Sequence, residues 1–435
     1  MKKVLCSILF LFSLSLYGNT EAEIEKWYES YPFPNPYDAT IIGSSMIMMQ
    51  GVSEKIPKKN YEIPTKKQGE LPENLWNHHK FRFSLVKQKQ KAPLIFLLAG
   101  TGSDYNSRRM ELFQRILYDA GFHIISISSQ MTVNFITSAS SFHVPGLLEK
   151  DSKDMYEIMK KAYQLVEKEI EVSDFFLTGY SLGATNAAFL SKLDEKEQFF
   201  NFKRVFMVNP AVNLYSSARQ LDQYLNQVTG NEVSNLEKML EALLMKVKEE
   251  AKNEYTGLTS EGIYQYFQGN HFSDLQKAAL VGLAFRINAI DLNYVSDLLA
   301  KTGVYTKVDE QIKKFSPMLS YFVKIKFADF GSYVDKIALP HYQEKLGAAY
   351  SKEKLIVESS LHGIEDYLKH SPKIVAVTNE DELILSKEDL SFLRNTMGNR
   401  VFVYSKGGHC GNMFYTPNVQ VMLRFLKEGV FVNEN

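Results

Sequence analysis

The chain is poor in cysteine, with two in 435 residues, Cys6 and Cys410. If the leader described below is removed, one thiol remains and no internal disulfide can form. A chain of this length has no need of one, because it can bury a large core. An excess of charge of either sign is also missing. Lysine plus arginine number 50, as do aspartate plus glutamate, so nothing points to a nucleic-acid partner. Past the first residues there is no uninterrupted apolar run of about 18 residues to suggest a membrane helix. Internal repeats and low-complexity tracts are absent. No His/Cys/Asp cluster has metal-ligand spacing, since His78-His79 is a lone pair before a strand; no metal and no cofactor are expected. What is abundant is apolar surface, at 45% of residues with 13% aromatic. That composition excludes a disordered or collagen-like chain.

The first residues read as a leader. Lys2 and Lys3 precede an apolar stretch, Val4 to Leu16, and small residues follow at Gly18 and Ala22. This is the layout of a secretory signal peptide over residues 1–18, and it implies a periplasmic or secreted protein. The stretch is too short to span a bilayer, and Cys6 lies too early in it to be a lipoprotein acceptor. Residues 19–77 are rich in Pro, Tyr and Lys, as in Tyr31-Pro32-Phe33-Pro34-Asn35-Pro36-Tyr37. Prolines at alternate positions prevent helix, so the expectation is an extended arm packed on the domain by its aromatics.

Regular structure then sets in. Phe81–Val86 alternates as a strand does, and Pro93–Leu98 and Phe122–Ile127 are unbroken apolar runs suited to strands buried on both faces. Phe175–Thr178, Val205–Val208, Ile374–Val377 and Arg400–Tyr404 complete the set of expected strands. Helices are expected over 107–120, 151–170, 182–193, 387–397 and 419–426. Alternating strands and helices imply an α/β class with a mostly parallel sheet and helices on both faces. The alternation breaks near Tyr215 and resumes at Ile374. Residues 215–370 therefore read as a helical cap inserted into a core made of 78–214 and 371–435. Within the cap, Leu236, Met239, Leu240, Leu243, Leu244 and Val247 form an apolar stripe, and Ser234 with Glu237 fits a capping box. Ala278–Phe285 is apolar enough either to line an acyl pocket or simply to fill the cap's core.

The motif that carries chemistry is Gly179-Tyr180-Ser181-Leu182-Gly183, a G-x-S-x-G between a buried strand and an Ala-rich helix. A sharp strand-to-helix turn lifts the serine hydroxyl clear of the sheet. The flanking glycines are needed where neighbouring backbone leaves no room for a Cβ. In these features the chain resembles the α/β-hydrolase superfamily over roughly residues 78–214 and 371–430. The resemblance implies a nucleophile, an acid and a histidine in that chain order. His409, in Lys406-Gly407-Gly408-His409-Cys410-Gly411-Asn412 directly after the last strand, is the expected base. Asp381, in Thr378-Asn379-Glu380-Asp381-Glu382-Leu383, is the expected acid, with Glu380 as the alternative. An oxyanion hole needs two backbone N–H groups; Leu182 and, from Ala99-Gly100-Thr101-Gly102-Ser103, Thr101 are expected to supply them. Cys410 is not expected to act as a nucleophile, since Ser181 already occupies the turn.

The expected activity is that of a serine hydrolase acting on carboxylic or lipid esters through an acyl-enzyme. A lipid substrate would bring peripheral contact with a membrane. A peptidase or thioesterase on the same fold and a non-catalytic envelope scaffold are the alternatives. The sequence leaves oligomeric state open.

Overall fold

The structure is a computed structural model that describes residues 26, 28–44, 51–67, 69–230, 232, 234, 235, 237–239, 241, 245, 272–308, 310–325 and 328–432. The expected leader, residues 1–18, and most of the 236–247 stripe lie outside the described residues.

Eight strands form one sheet: β1 Lys58–Pro64, β2 Lys80–Val86, β3 Ala92–Leu98, β4 His123–Ile127, β5 Val172–Tyr180, β6 Arg204–Val208, β7 Ile374–Asn379 and β8 Val401–Tyr404. Their order is β1-β2-β4-β3-β5-β6-β7-β8. β2 runs antiparallel to both its neighbours, and β4, β3, β5, β6, β7 and β8 are mutually parallel. This is an α/β-hydrolase fold. The strand β1 falls within the segment read as an arm. Only Ile63 of it is buried, as suits an edge strand, and this is why it leaves so little apolar trace in the sequence.

The larger helices are α1 Arg108–Asp119, α2 Leu148–Val166, α3 Leu182–Glu197, α4 Leu214–Thr229, α5 Asp274–Ala300, α6 Lys387–Met397 and α7 Thr416–Glu428. The unbroken apolar run of β3 is explained by burial on both sides. Leu94, Phe96 and Leu98 join one core with residues of α2, α3 and α6, while Ile95 and Leu97 join another with residues of α1 and α7. Between β6 and β7 the described residues form helices and loops and add no strand to the sheet, the helices lying between Leu214 and His370. There α4 and α5 cross closely at Gly282, where a Cβ would come within 2.5 Å of the Leu221 carbonyl oxygen. A buried ion pair, Arg286 to Asp222 at 3.1 Å, fixes the same crossing.

The segment before β1 packs through its aromatics but is not extended throughout: after Asn35, Pro36–Asp38 and Ala39–Gly43 wind into short helical turns, because Pro36 stands at the first helical position, where a missing N–H costs nothing. Tyr28 stacks on Tyr404, and Tyr31 meets the edge of Tyr415. Asn35 caps the short turn that follows, accepting from the Tyr37 N–H at 2.9 Å. This arm reaches both halves of the molecule. Lys277 of α5 pairs with Asp38 at 2.7 Å, and Asn35 donates to Asp274 at 2.8 Å.

Candidate functional site

Ser181 stands between the end of β5 and the start of α3, at φ 54° and ψ −126°. Such a backbone is strained for a non-glycine residue and persists only where its surroundings enforce it. They do so through the glycines. A Cβ on Gly179 would lie 2.5 Å from the Gly183 carbonyl oxygen, and one on Gly183 would lie 2.4 Å from that of Leu98. The strand, the turn and the helix are thus pressed together at two points where only glycine fits. The loop after β3 closes on the same turn, with Gly100 so near that a Cβ would meet the Tyr180 ring at 2.6 Å.

His409 lies on the loop after β8, and its Nε2 is 2.9 Å from Ser181 Oγ. Its Nδ1 is 2.8 Å from an oxygen of Glu382. A carboxylate can only accept, so Nδ1 donates; Nε2 of the neutral ring is then left to accept the serine proton. The structure therefore corrects the expected acid. Asp381 faces the loop backbone instead and accepts from the Gly408 N–H at 2.8 Å. Glu380, the alternative, pairs with Arg394 at the surface. The reason is the turn after β7, which ends at Asn379. Its winding aims the third acid of Glu380-Asp381-Glu382 at the imidazole, and the extra methylene of glutamate spans the gap. Glu382 is completely enclosed. It accepts further from the Leu383 N–H at 2.9 Å and from Asn209 Nδ2 at 2.8 Å. A buried charge needs such partners.

Burial alone would lower the pKa of His409. The Cys410 thiol and the Glu382 carboxylate outweigh it and hold the imidazole above its ordinary value. Cys410 is itself buried, with its sulfur 3.7 Å from Nε2. Burial raises the pKa of Asp381, against the N–H donors of Gly408 and Gly407.

The sequence reading missed three contributors. Asn209, the residue after β6, donates to Glu382 and helps hold it. Thr40 of the arm accepts from the His409 N–H at 2.8 Å and donates to the Pro36 carbonyl at 2.7 Å. Asn379 donates to the Gly408 carbonyl at 2.6 Å. No local motif marks any of them, because each acts from a part of the chain remote in sequence. The packing behind Thr40 is tight: a Cβ on Gly408 would lie 2.2 Å from the Pro36 oxygen.

Ser181 and His409 open onto a cavity of about 680 Å³, together with Leu182 and Thr101. Leu182 follows Ser181 directly in the chain, and Thr101, the other expected donor, borders the same cavity. Leu182 begins α3, where the first N–H groups have no acceptor within the helix. One wall of the cavity is apolar and comes mainly from the cap: Leu214, Leu221, Leu280, Val281, Ala284 and Phe285. The stretch 278–285 therefore has two faces. Leu280, Val281, Ala284 and Phe285 border the cavity, whereas Ala279 and Leu283 pack on Leu225 inside the cap. The polar part of the lining comes from the loop after β3 and the start of α1. Among the described residues no group of three His, Cys, Asp or Glu is placed to hold a metal ion.

No protein-family model matches the chain, and no curated protein matches it. Solved structures do. A hyperthermophilic esterase from the archaeon Pyrobaculum calidifontis has 13% identity over 98% of this chain and 97% of its own, at a TM-score of 0.42. A putative hydrolase from Legionella pneumophila has 9% identity over 89% of this chain and 95% of its own, at 0.45. An acylaminoacyl peptidase from Pyrococcus horikoshii has 11% identity over 88% of this chain, at 0.43. This chain spans only 43% of the length of that peptidase.

Proposed function

We propose that the protein is a serine hydrolase that cleaves carboxylic esters through an acyl-enzyme on Ser181. The observation that carries this reading is the unbroken run of hydrogen bonds from Ser181 Oγ through His409 to Glu382, at 2.9 and 2.8 Å. In the first half-reaction Ser181 Oγ attacks the ester carbonyl carbon while its proton passes to His409 Nε2. Glu382 holds the ring in the tautomer that can accept that proton and stabilises the imidazolium that results. The tetrahedral oxyanion takes hydrogen bonds from the backbone N–H groups of Leu182 and Thr101. Its collapse breaks the bond to the alcohol oxygen, which leaves with the proton from Nε2. Water then repeats the sequence on the acyl-enzyme, giving the free acid and restoring Ser181.

The apolar cap wall supports an acyl chain as the group bound there, so lipid-like esters fall within the reading. The lysines and apolar stretch of residues 2–16 support export. The test is labelling by a fluorophosphonate, which reacts with an activated serine. The wild type should be labelled, and Ser181→Ala should not be. A folded wild type that resists labelling would leave a binding or scaffold role instead.

A further inference from the structure

Beyond the Thr101 N–H, the cavity's polar wall has no part in the chemistry above. It holds Ser103, Asp104, Ser107, Arg108 and Arg109. The two arginines occupy the first turn of α1, directly after its first flanking residue, Ser107. Positive charge in that position opposes the helix dipole, so helix stability does not account for the pair. Nor does a fold-stabilising ion pair account for Arg109, which has no carboxylate at ion-pair distance among the described residues. Its Nε donates to Ser44 Oγ at 3.2 Å, a contact that fixes the direction of the guanidinium.

Arg109 also borders the cavity onto which Ser181 opens. Burial raises the pKa of the Tyr180 hydroxyl, and the charge of Arg109 works against that rise. Tyr180 immediately precedes Ser181 and donates to Ser103 Oγ at 2.8 Å, and Ser103 in turn is 2.6 Å from Ser107 Oγ. Asp104 is the one acid among the described residues lining the cavity. Burial raises its pKa, and its carboxylate accepts from the Asn106 N–H at 3.1 Å. The cavity therefore combines an apolar cap lining with two cations, Arg108 and Arg109, and Ser181 borders it as well.

Resting on the serine-hydrolase reading, we infer that the substrate is an ester whose acyl chain lies on the cap wall and whose alcohol carries an anion, a carboxylate or a phosphate, bound by Arg108 and Arg109. Guanidinium groups pair with both anions through parallel N–H donors. An anion within a few bonds of the ester oxygen would orient the carbonyl toward Ser181 as it binds.

The experiment compares kcat/KM for three butyrate esters of matched shape: those of 4-hydroxybenzoate, 4-hydroxyphenyl phosphate and the neutral 4-hydroxybenzamide. The wild type should favour at least one anionic ester over the neutral one by about tenfold or more, the scale of a charge-assisted hydrogen bond. Which anion leads assigns the headgroup. Arg109→Gln and Arg108→Gln should each shrink that ratio, and added salt should shrink it in the wild type. The salt arm keeps the inference testable should a variant fail to fold. Cleavage of all three esters with no preference for charge overturns the inference and leaves the hydrolase intact. A preference that neither salt nor either substitution reduces overturns it as well. Cleavage of none, with no fluorophosphonate labelling, overturns the hydrolase reading and this inference with it.

Discussion

Replacing Glu382 by glutamine tests the site at its most sharply defined point. Four N–H donors converge on the two carboxylate oxygens. His409 Nδ1, the Leu383 N–H and, at 3.4 Å, the Ile384 N–H meet one, and Asn209 Nδ2 meets the other. Glutamine keeps one acceptor and turns the other into a donor, so one of these contacts becomes donor against donor. If the new amide faces Nδ1, that nitrogen must become the acceptor. The proton then sits on Nε2, and the ring can no longer accept from Ser181. Loss of the correct tautomer in a triad costs about 10³- to 10⁴-fold in rate, or roughly 4 to 5.5 kcal/mol of barrier. A second signature follows from charge. Catalysis requires the neutral imidazole, and in the wild type His409 is held above its ordinary value of about 6.5. Wild-type kcat/KM should therefore still be rising on the alkaline side of neutrality. Glu382 is one cause of that elevation, so in Glu382→Gln the residual rate should level off at a lower pH than in the wild type. The assay is kcat/KM for 4-nitrophenyl acetate from about pH 5 to about pH 10, with Asp381→Asn as the control. Asparagine can still accept from the Gly408 N–H, so the control should lose less than about tenfold. A crippled Asp381→Asn beside a healthy Glu382→Gln would refute the assignment, as would a limb that moved to higher pH in Glu382→Gln.

Other outcomes follow from contacts around the site. Thr40→Val removes the acceptor for the His409 N–H and should lower kcat by about tenfold; Thr40→Ser should restore it, as steady-state kinetics on both variants would show. Lys277→Met leaves the largely buried Asp38 without its cation and should destabilise the fold by about 3 kcal/mol in urea unfolding. On a series of esters with acyl chains of two to twelve carbons, each methylene buried on the cap wall should raise kcat/KM about fourfold until the wall is full, from about 0.8 kcal/mol each. Leu280→Asp, on the cavity face of α5, should flatten that series while acetate esters are still cleaved. A flat wild-type series would remove the acyl chain from the cap wall.

Much of this architecture was legible because it depends on local pattern. The runs Leu94–Leu98 and His123–Ile127 mark buried strands, since every residue in them must be apolar or paired. The Gly179-to-Gly183 motif marks its own turn, since two close backbone approaches forbid any side chain. The acid was not legible to the residue. Three acids in a row give no period from which to pick one, and the choice belongs to the turn's winding and to Asn209, which is remote in sequence. One cue did lie in the chain: Glu382 directly precedes apolar Leu383, which together with Ile384 and Leu385 turns back into the molecule. Edge strand β1 was hidden because an edge strand needs few apolar residues. In Ala278–Phe285 composition could not separate two faces of one helix. Only the crossing with α4 assigns Ala279 and Leu283 to the cap interior and Leu280 and Ala284 to the cavity.

The hydrogen bond from His409 to Thr40 joins residues 369 positions apart. On a ribosome adding about 5 to 20 residues per second, Thr40 waits some 20 to 70 s for its partner to be made. Over that interval the nascent chain holds Ser181 but no base to activate it. The arm's Tyr28 and Tyr31 likewise lack Tyr404 and Tyr415, the rings they later pack on. Contacts of such long range slow folding, so assembly of the site should be the last event after synthesis rather than an early one. A chain cut short before residue 409 would lack the partner of Thr40 and the Tyr415 ring against which Tyr31 packs. Translation of the final loop thus adds the residue that joins Ser181 to Glu382 and the arm to both.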